Sequence, residues 1–135
     1  MEITKLKFQN VANEAGELTI LESKKGIPFE VKRVYYIHST KEGARRGFHA
    51  HKNLKQVYIC VSGSCKVMLD DGKHKIDVVL DNPSEGLLFD TNVVWREIYD
   101  FSKDAVLLVL ASDYYDEQDY IRNYDEFIKF MELNA

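Results

Sequence analysis

The run Ala105-Val-Leu-Leu-Val-Leu-Ala111 is apolar at every position. Side chains of a strand alternate between two faces, so this segment reads as a strand buried on both sides at the centre of its fold. Around it stand further short runs rich in β-branched and aromatic residues: Glu30–Ile37, Gln56–Val61, Cys65–Leu69, Lys75–Leu80, Leu87–Phe89 and Val93–Ile98. Turn-forming segments separate them. Asn13-Glu-Ala-Gly16, Gly26-Ile-Pro28 and Asn82-Pro-Ser-Glu-Gly86 break the chain, and Ser62-Gly-Ser64 reads as a hairpin turn. Asp70-Asp-Gly-Lys73 is the strongest hairpin signal, because Asp-Gly suits the positive φ values of a type I′ turn. Many short strands with regular turns predict an all-β sandwich or barrel.

The period changes at the end of the chain. Tyr120, Ile121, Tyr124, Phe127, Ile128 and Met131 recur at three- and four-residue spacing, which predicts one C-terminal amphipathic α-helix ending near Leu133. At the other end, Leu6 and Phe8 alternate with polar residues, as expected of a short half-buried strand.

The 135 residues are expected to form a single domain over 1–135. The formal net charge of −4 offers no basic footprint, so nucleic acid is not an expected partner. No apolar run reaches transmembrane length and the first residues lack the apolar core of a signal peptide; the expectation is a cytoplasmic protein without membrane contact. Cys60 and Cys65 flank Gly63 without forming a CxxC motif and read as small reduced core residues.

The chemistry concentrates in one stretch. His49 and His51 stand at i and i+2 in a strand-like context, so both should project from one face. The spacing resembles the first cupin motif: Gly43, five residues, His49-Ala-His51, four residues, an acid position, six residues, Gly63. The acid position holds Gln56. Where a metal-binding cupin carries a later histidine, this chain has Arg96, which stays protonated and cannot ligate a cation. Two ligands of four are too few for a dedicated transition-metal site, so no metal is expected. His38, at a strand end, and His74, beside a turn, read as surface residues.

Several segments resemble one family more closely. They are Arg33-Val-Tyr-Tyr-Ile37, Arg46-Gly-Phe-His-Ala-His-Lys52, Gln56–Cys65, Val109-Leu-Ala-Ser-Asp-Tyr-Tyr-Asp-Glu117 and Asp119-Tyr-Ile-Arg122. Together they are similar to the dTDP-4-keto-6-deoxyglucose 3,4-ketoisomerases, cupin enzymes of dideoxy-aminosugar and surface-glycan (lipopolysaccharide) biosynthesis. The resemblance spans about Phe8 to Phe130. It implies a cupin-type jelly-roll, barrel or sandwich, that works without metal or other cofactor. It also implies an isomerase that tautomerises a dTDP-linked keto-sugar through an enediol.

By that resemblance His49 is the base that moves the carbon-bound proton, and His51 shuttles protons at the oxygens or fixes the tautomer of the site. Tyr35 would donate to the developing enolate oxygen. The residues suit this chemistry on their own terms. A histidine pair can accept and return protons near neutral pH, and arginine forks grip phosphate. Arg33, Arg46 and Arg96 are the candidates for binding the nucleotide sugar, with Arg45 a weaker one beside them. The resemblance also implies a product configuration: members of that family differ at C4, and Arg96, at a place near the sugar where relatives can carry histidine, favours the gluco over the galacto form. Ala15, in the turn before Gly16, stands where a larger polar residue is expected in some members of the family it resembles.

Two other functions fit part of the pattern. A 3,5-epimerase of nucleotide keto-sugars would share fold and histidines, but its base is usually held by a buried acid, and the sequence offers no obvious one. A non-catalytic sugar-binding cupin would need only the aromatics and arginines, and a metal-dependent dioxygenase would need a bound metal. A homodimer is expected, since small jelly-rolls cover exposed sheet edges by pairing, and the segment Glu2–Phe8 is the piece that could be exchanged.

Overall fold

A computed structural model describes residues 1–90 and 92–135. The first strands are β1 (Thr4–Lys7), β2 (Asn10–Asn13), β3 (Gly16–Thr19), β4 (Glu22–Ser23) and β5 (Gly26–Ile27). The central ones are β6 (Arg33–Ile37), β7 (Arg46–His51), β8 (Gln56–Ser62), β9 (Cys65–Asp70) and β10 (Lys75–Leu80). β11 (Glu85–Phe89), β12 (Trp95–Tyr99), β13 (Val106–Ala111) and β14 (Tyr120–Ile121) follow, and helix α1 (Tyr124–Leu133) ends the chain.

Two antiparallel five-stranded sheets form a jelly-roll sandwich with strand orders β1-β11-β8-β13-β6 and β10-β9-β12-β7-β14. They are not closed into a barrel. The interior between them is built from Tyr58, Leu87, Leu107 and Val109 of the first sheet against Val67, Leu69, Val78 and Ile98 of the second. The fully apolar run at 105–111 is explained by its place. Leu107 and Val109 of β13 enter this interior, while Leu108 and Leu110 pack on the outer face beneath Ile27 and Phe29. β8 is divided in the same way, with Tyr58 inward and Val57 and Ile59 outward. Both cysteines are buried free thiols in the interior.

Helix α1 covers the outer face of the second sheet, with Phe127 buried beside Trp95, Ala50 and Ile121. It is shorter than the apolar spacing predicts. Asn123 caps it, its side chain accepting the Glu126 N–H at 3.0 Å, and Tyr120 and Ile121 pair as strand β14 with His51 and Ala50. Ile121 still packs beneath the helix, so the apolar period runs across a change of backbone.

Two turns also differ from expectation. Ser62-Gly63-Ser64 joins strands of different sheets and is an arch between layers, not a hairpin. Gly63 has φ +66°, and a Cβ there would lie 2.2 Å from Ser102 Oγ. The β9–β10 connection is a hairpin, but only Gly72 has positive φ, so the turn is not type I′. Asp71 Oδ1 accepts the backbone N–H groups of Lys73 and His74 instead. β1 pairs with β11 of its own chain.

Candidate active site

The histidines owe their direction to a bulge. On β12, Ile98, Glu97 and Arg96 stand opposite Arg46, Gly47 and His49 of β7, so Phe48 is an extra residue without a partner. Its φ of +58° is rare for a bulky residue, and Gly47 beside it (φ +93°) has no room for a side chain, since a Cβ would meet the Arg96 carbonyl at 2.9 Å. One added residue reverses the alternation. Arg46, His49 and His51 therefore share the inner face, which strict alternation forbids for positions 46 and 49, and Phe48 turns outward.

His49 faces a cavity of about 640 Å³. Arg33, Tyr35 and Tyr58 line it from the first sheet, Arg46 and His49 from the second, with Tyr120 and Arg122 at the side. No carboxylate lines it among the described residues. His51 lies deeper, against a smaller cavity of about 160 Å³ that shares Arg33 and Tyr120 with the first. The two imidazoles meet edge to face at 4.9 Å, and the Tyr120 ring contacts both, at 5.1 and 4.3 Å.

Among the described residues, neither ring nitrogen of His49 has a hydrogen-bond partner, nor does His51 Nε2. His51 Nδ1 is 2.9 Å from Asp119 Oδ2. Burial, and then the charge of Arg96, hold both imidazoles below their ordinary range, His49 to about 4 and His51 to about 2. Both are neutral at pH 7 and free to accept a proton.

Behind them runs a fixed chain of polar groups. Arg96 Nη1 donates to Gln56 Oε1 at 2.6 Å and to the Tyr58 hydroxyl at 3.2 Å. Gln56 Nε2 donates to the Tyr35 hydroxyl at 3.1 Å. With its oxygen accepting from Gln56, Tyr35 can turn its own proton toward the cavity, and burial holds the phenol pKa well above normal. Gln56 at the cupin acid position thus serves as a hydrogen-bond clamp.

The arginines separate. Arg33 and Arg46 line the cavity. Arg96 is 2% exposed and packed 4.1 Å over the Phe89 ring, so it offers no face to a diphosphate at the mouth, contrary to a phosphate-binding role. Arg45 turns away, paired with Glu97 at 2.7 Å and stacked on Tyr99. Arg122, which sequence reasoning left out, stacks 4.1 Å over Tyr120 and is held by Glu117. Tyr120 and Asp119 were also missed. Helical spacing drew Tyr120 into the helix, although Asp119-Tyr-Ile-Arg122 already belonged to the family-like segments. His38 and His74 are exposed; His38 lies at the rim of the larger cavity. A separate cavity of about 890 Å³, between the N-terminal residues, the Asp71–Lys73 loop and the end of α1, is lined by no histidine or arginine among the described residues.

Residues 1–132 match the family model described as FdtA: WxcM-like, C-terminal. This chain belongs to that family. Its relatives include a TDP-4-oxo-6-deoxy-alpha-D-glucose-3,4-oxoisomerase of Aneurinibacillus thermoaerophilus, 51% identical over 97% of this chain and 94% of the relative. The family's fold is seen in QdtA, a sugar 3,4-ketoisomerase from Thermoanaerobacterium thermosaccharolyticum solved in complex with TDP. QdtA is 46% identical, with a TM-score of 0.94 over 98% of this chain and 96% of that one. WlaRB, a TDP-quinovose 3,4-ketoisomerase from Campylobacter jejuni, is 50% identical with a TM-score of 0.87 over 94% and 97% of the two chains.

Proposed function

We propose that this protein is a TDP-sugar 3,4-ketoisomerase that converts TDP-4-keto-6-deoxyglucose to the 3-keto isomer, with residues 1–135 as one catalytic domain. The observation that carries the reading is a pair of adjacent neutral imidazoles, with His49 facing Tyr35 across a cavity lined by arginines and His51 beside it with a free Nε2 among the described residues, in a chain 51% identical to an oxoisomerase of that name.

His49 takes the proton from C3, and the electron pair forms the C3=C4 bond while charge moves to O4. Tyr35 donates to that oxygen from the opposite sheet, and the buried charge of Arg96 stabilises the enediolate. His51 accepts the proton of the C3 hydroxyl and returns it at O4. C3 becomes the ketone as C4 takes up a proton supplied from solvent through the cavity, and His49 returns its proton to solvent, so atoms and charge balance without a redox cofactor. No metal is required, because Gln56 is tied to Arg96 and Tyr35 and only His49 and His51 remain of the usual ligand set. Arg33, Arg46 and Arg122 place positive charge where the diphosphate enters.

The product is assigned the gluco configuration. In that series the protons at C3 and C4 lie on opposite faces of the ring, and the site presents histidines on one wall and the Tyr35 hydroxyl on the other. Arg96 supplies charge at this place but no acid–base group. The finding of Asp119 beside His51 removes one argument against an epimerase; identity to ketoisomerases over the whole chain outweighs that alternative.

A homodimer completes the reading, since edge strand β6 leaves Val34 and Tyr36 55% and 61% exposed, and sedimentation analysis would measure it. No helix of the described residues is long and apolar enough to cross a membrane, in keeping with action on a cytoplasmic nucleotide sugar. The deciding experiment is NMR of the purified protein with TDP-4-keto-6-deoxyglucose, with and without a chelator. New C3-ketone signals in both samples are expected, with the C4 coupling constants reporting the configuration. An unchanged substrate sinks the assignment, and turnover lost only with chelator overturns the metal-free reading.

A further inference from the structure

Asp119 sits at the end of a single 3₁₀ turn, Glu117–Asp119, immediately before β14. Its carboxylate accepts three N–H groups. Oδ1 takes the Asn53 backbone N–H at 2.7 Å, and Oδ2 takes the Leu54 backbone N–H at 3.3 Å together with His51 Nδ1 at 2.9 Å. The Lys52 N–H is bound by the Asp119 carbonyl at 3.0 Å, and Tyr120 pairs with His51 across the strands. The carboxylate is therefore oriented by backbone groups on the far side of the imidazole, independently of His51.

A carboxylate accepts and does not donate, so the proton of neutral His51 must reside on Nδ1. That leaves Nε2, buried and without a partner among the described residues, as the ring's only acceptor. We propose that Asp119 is a positioning residue for catalysis: it locks His51 as the Nδ1–H tautomer, so that Nε2 receives the sugar hydroxyl proton, and it balances the imidazolium formed. The inference rests on the ketoisomerase reading for its catalytic half.

The surroundings show why such a partner matters. His51 is faced by His49 on its own strand, Arg96 on β12, Arg33 on β6, Arg122 beyond β14 and the Tyr120 ring. Three of these are guanidinium groups, and with burial they oppose a charged imidazole. Among the described residues, Asp119 is the carboxylate in contact with it. A purely structural role, tying the turn after β7 to β14, would need only the two backbone contacts.

The test uses intact protein labelled with ¹⁵N-histidine and long-range ¹H–¹⁵N spectra, with His51 assigned from the signal lost in His51→Asn. In the wild type, Nδ1 is expected protonated and Nε2 bare. In Asp119→Asn the side-chain amide can donate to Nδ1, the Nε2–H tautomer is expected to grow, and kcat to fall about 10²- to 10⁴-fold. KM and TDP affinity should move less than about threefold, because the Asp119 carboxylate is taken up by His51 and the Asn53 and Leu54 N–H groups and lines only the smaller cavity, not the one lined by Arg46 and Arg122. An Nε2–H tautomer of His51 in the wild type overturns the inference even if Asp119→Asn does not fold. So does a folded Asp119→Asn protein that keeps kcat, or one that loses kcat with its tautomer unchanged. If the wild type never turns over the keto-sugar, the ketoisomerase reading fails separately and the tautomer spectrum still decides the role of Asp119.

Discussion

Arg96 stands directly opposite His49 on the neighbouring strand, and every hydrogen-bond partner of its guanidinium among the described residues is neutral: Gln56, Tyr58 and the Val94 carbonyl. A buried cation without a counter-charge is costly to fold around, and its removal is often neutral or stabilising. Arg96→Met should leave the melting temperature close to wild type or above it while turnover falls at least about tenfold, as expected of a charge kept for the enediolate. Calorimetry and initial rates check this. A large loss of stability with normal turnover would make Arg96 a structural residue.

His49→Asn removes the base from the cavity while keeping its shape. Turnover should drop about 10³-fold or more, with TDP binding by calorimetry within about threefold of wild type. Loss of TDP binding in the folded variant would show that His49 holds the ligand and does not act on it.

The bulge at Phe48 invites two contrasting changes. Phe48→Gly suits the positive φ and relieves backbone strain, so stability should hold or rise by up to about 1 kcal/mol. Deleting Phe48 restores strict alternation, parts Arg46 from the histidine face and should abolish turnover. A deletion variant with wild-type kcat would show that the bulge does not aim these side chains.

Gly63 is needed twice, for its φ of +66° and for the close approach of Ser102 and Asp104. Gly63→Ala should cost about 1–3 kcal/mol in urea unfolding without altering KM. An unchanged midpoint would mean that the arch between the sheets can yield.

Acid should destabilise the fold through the histidines. In the folded protein His49 and His51 stay neutral down to about 4 and about 2, whereas an unfolded histidine takes up its proton near 6.5. Between those values the unfolded state binds more protons, so stability falls as pH drops below about 6.5. Thermal melts at stepped pH should show this, and the slope should shrink in a His49→Asn/His51→Asn double variant. The acid limb of kcat/KM should likewise lie near pH 4 and not near 6.5.

Much of this was legible in the chain because alternation is a local property. The run at 105–111 announced a strand covered on both faces, and His49-Ala-His51 announced two side chains on one face. The bulge was hidden, since Gly47-Phe48 carries no sign of which residue lacks a partner. Asp119 was hidden for another reason: it meets His51 across 68 residues of sequence, through a two-residue strand that helical spacing obscured. The arch at Gly63 was misread because a turn signal states that the chain reverses, not in which sheet it resumes.

The most direct test of the proton-transfer account is the reaction run in D₂O and followed by ¹H and ²H NMR at times short against uncatalysed exchange. An enediol formed by His49, with a proton arriving at C4 from a site that exchanges with solvent, predicts a 3-keto product carrying deuterium at C4. A product whose C4 retains protium in full would mean that the C3 hydrogen reaches C4 without exchange, and would contradict protonation of an enediol from solvent.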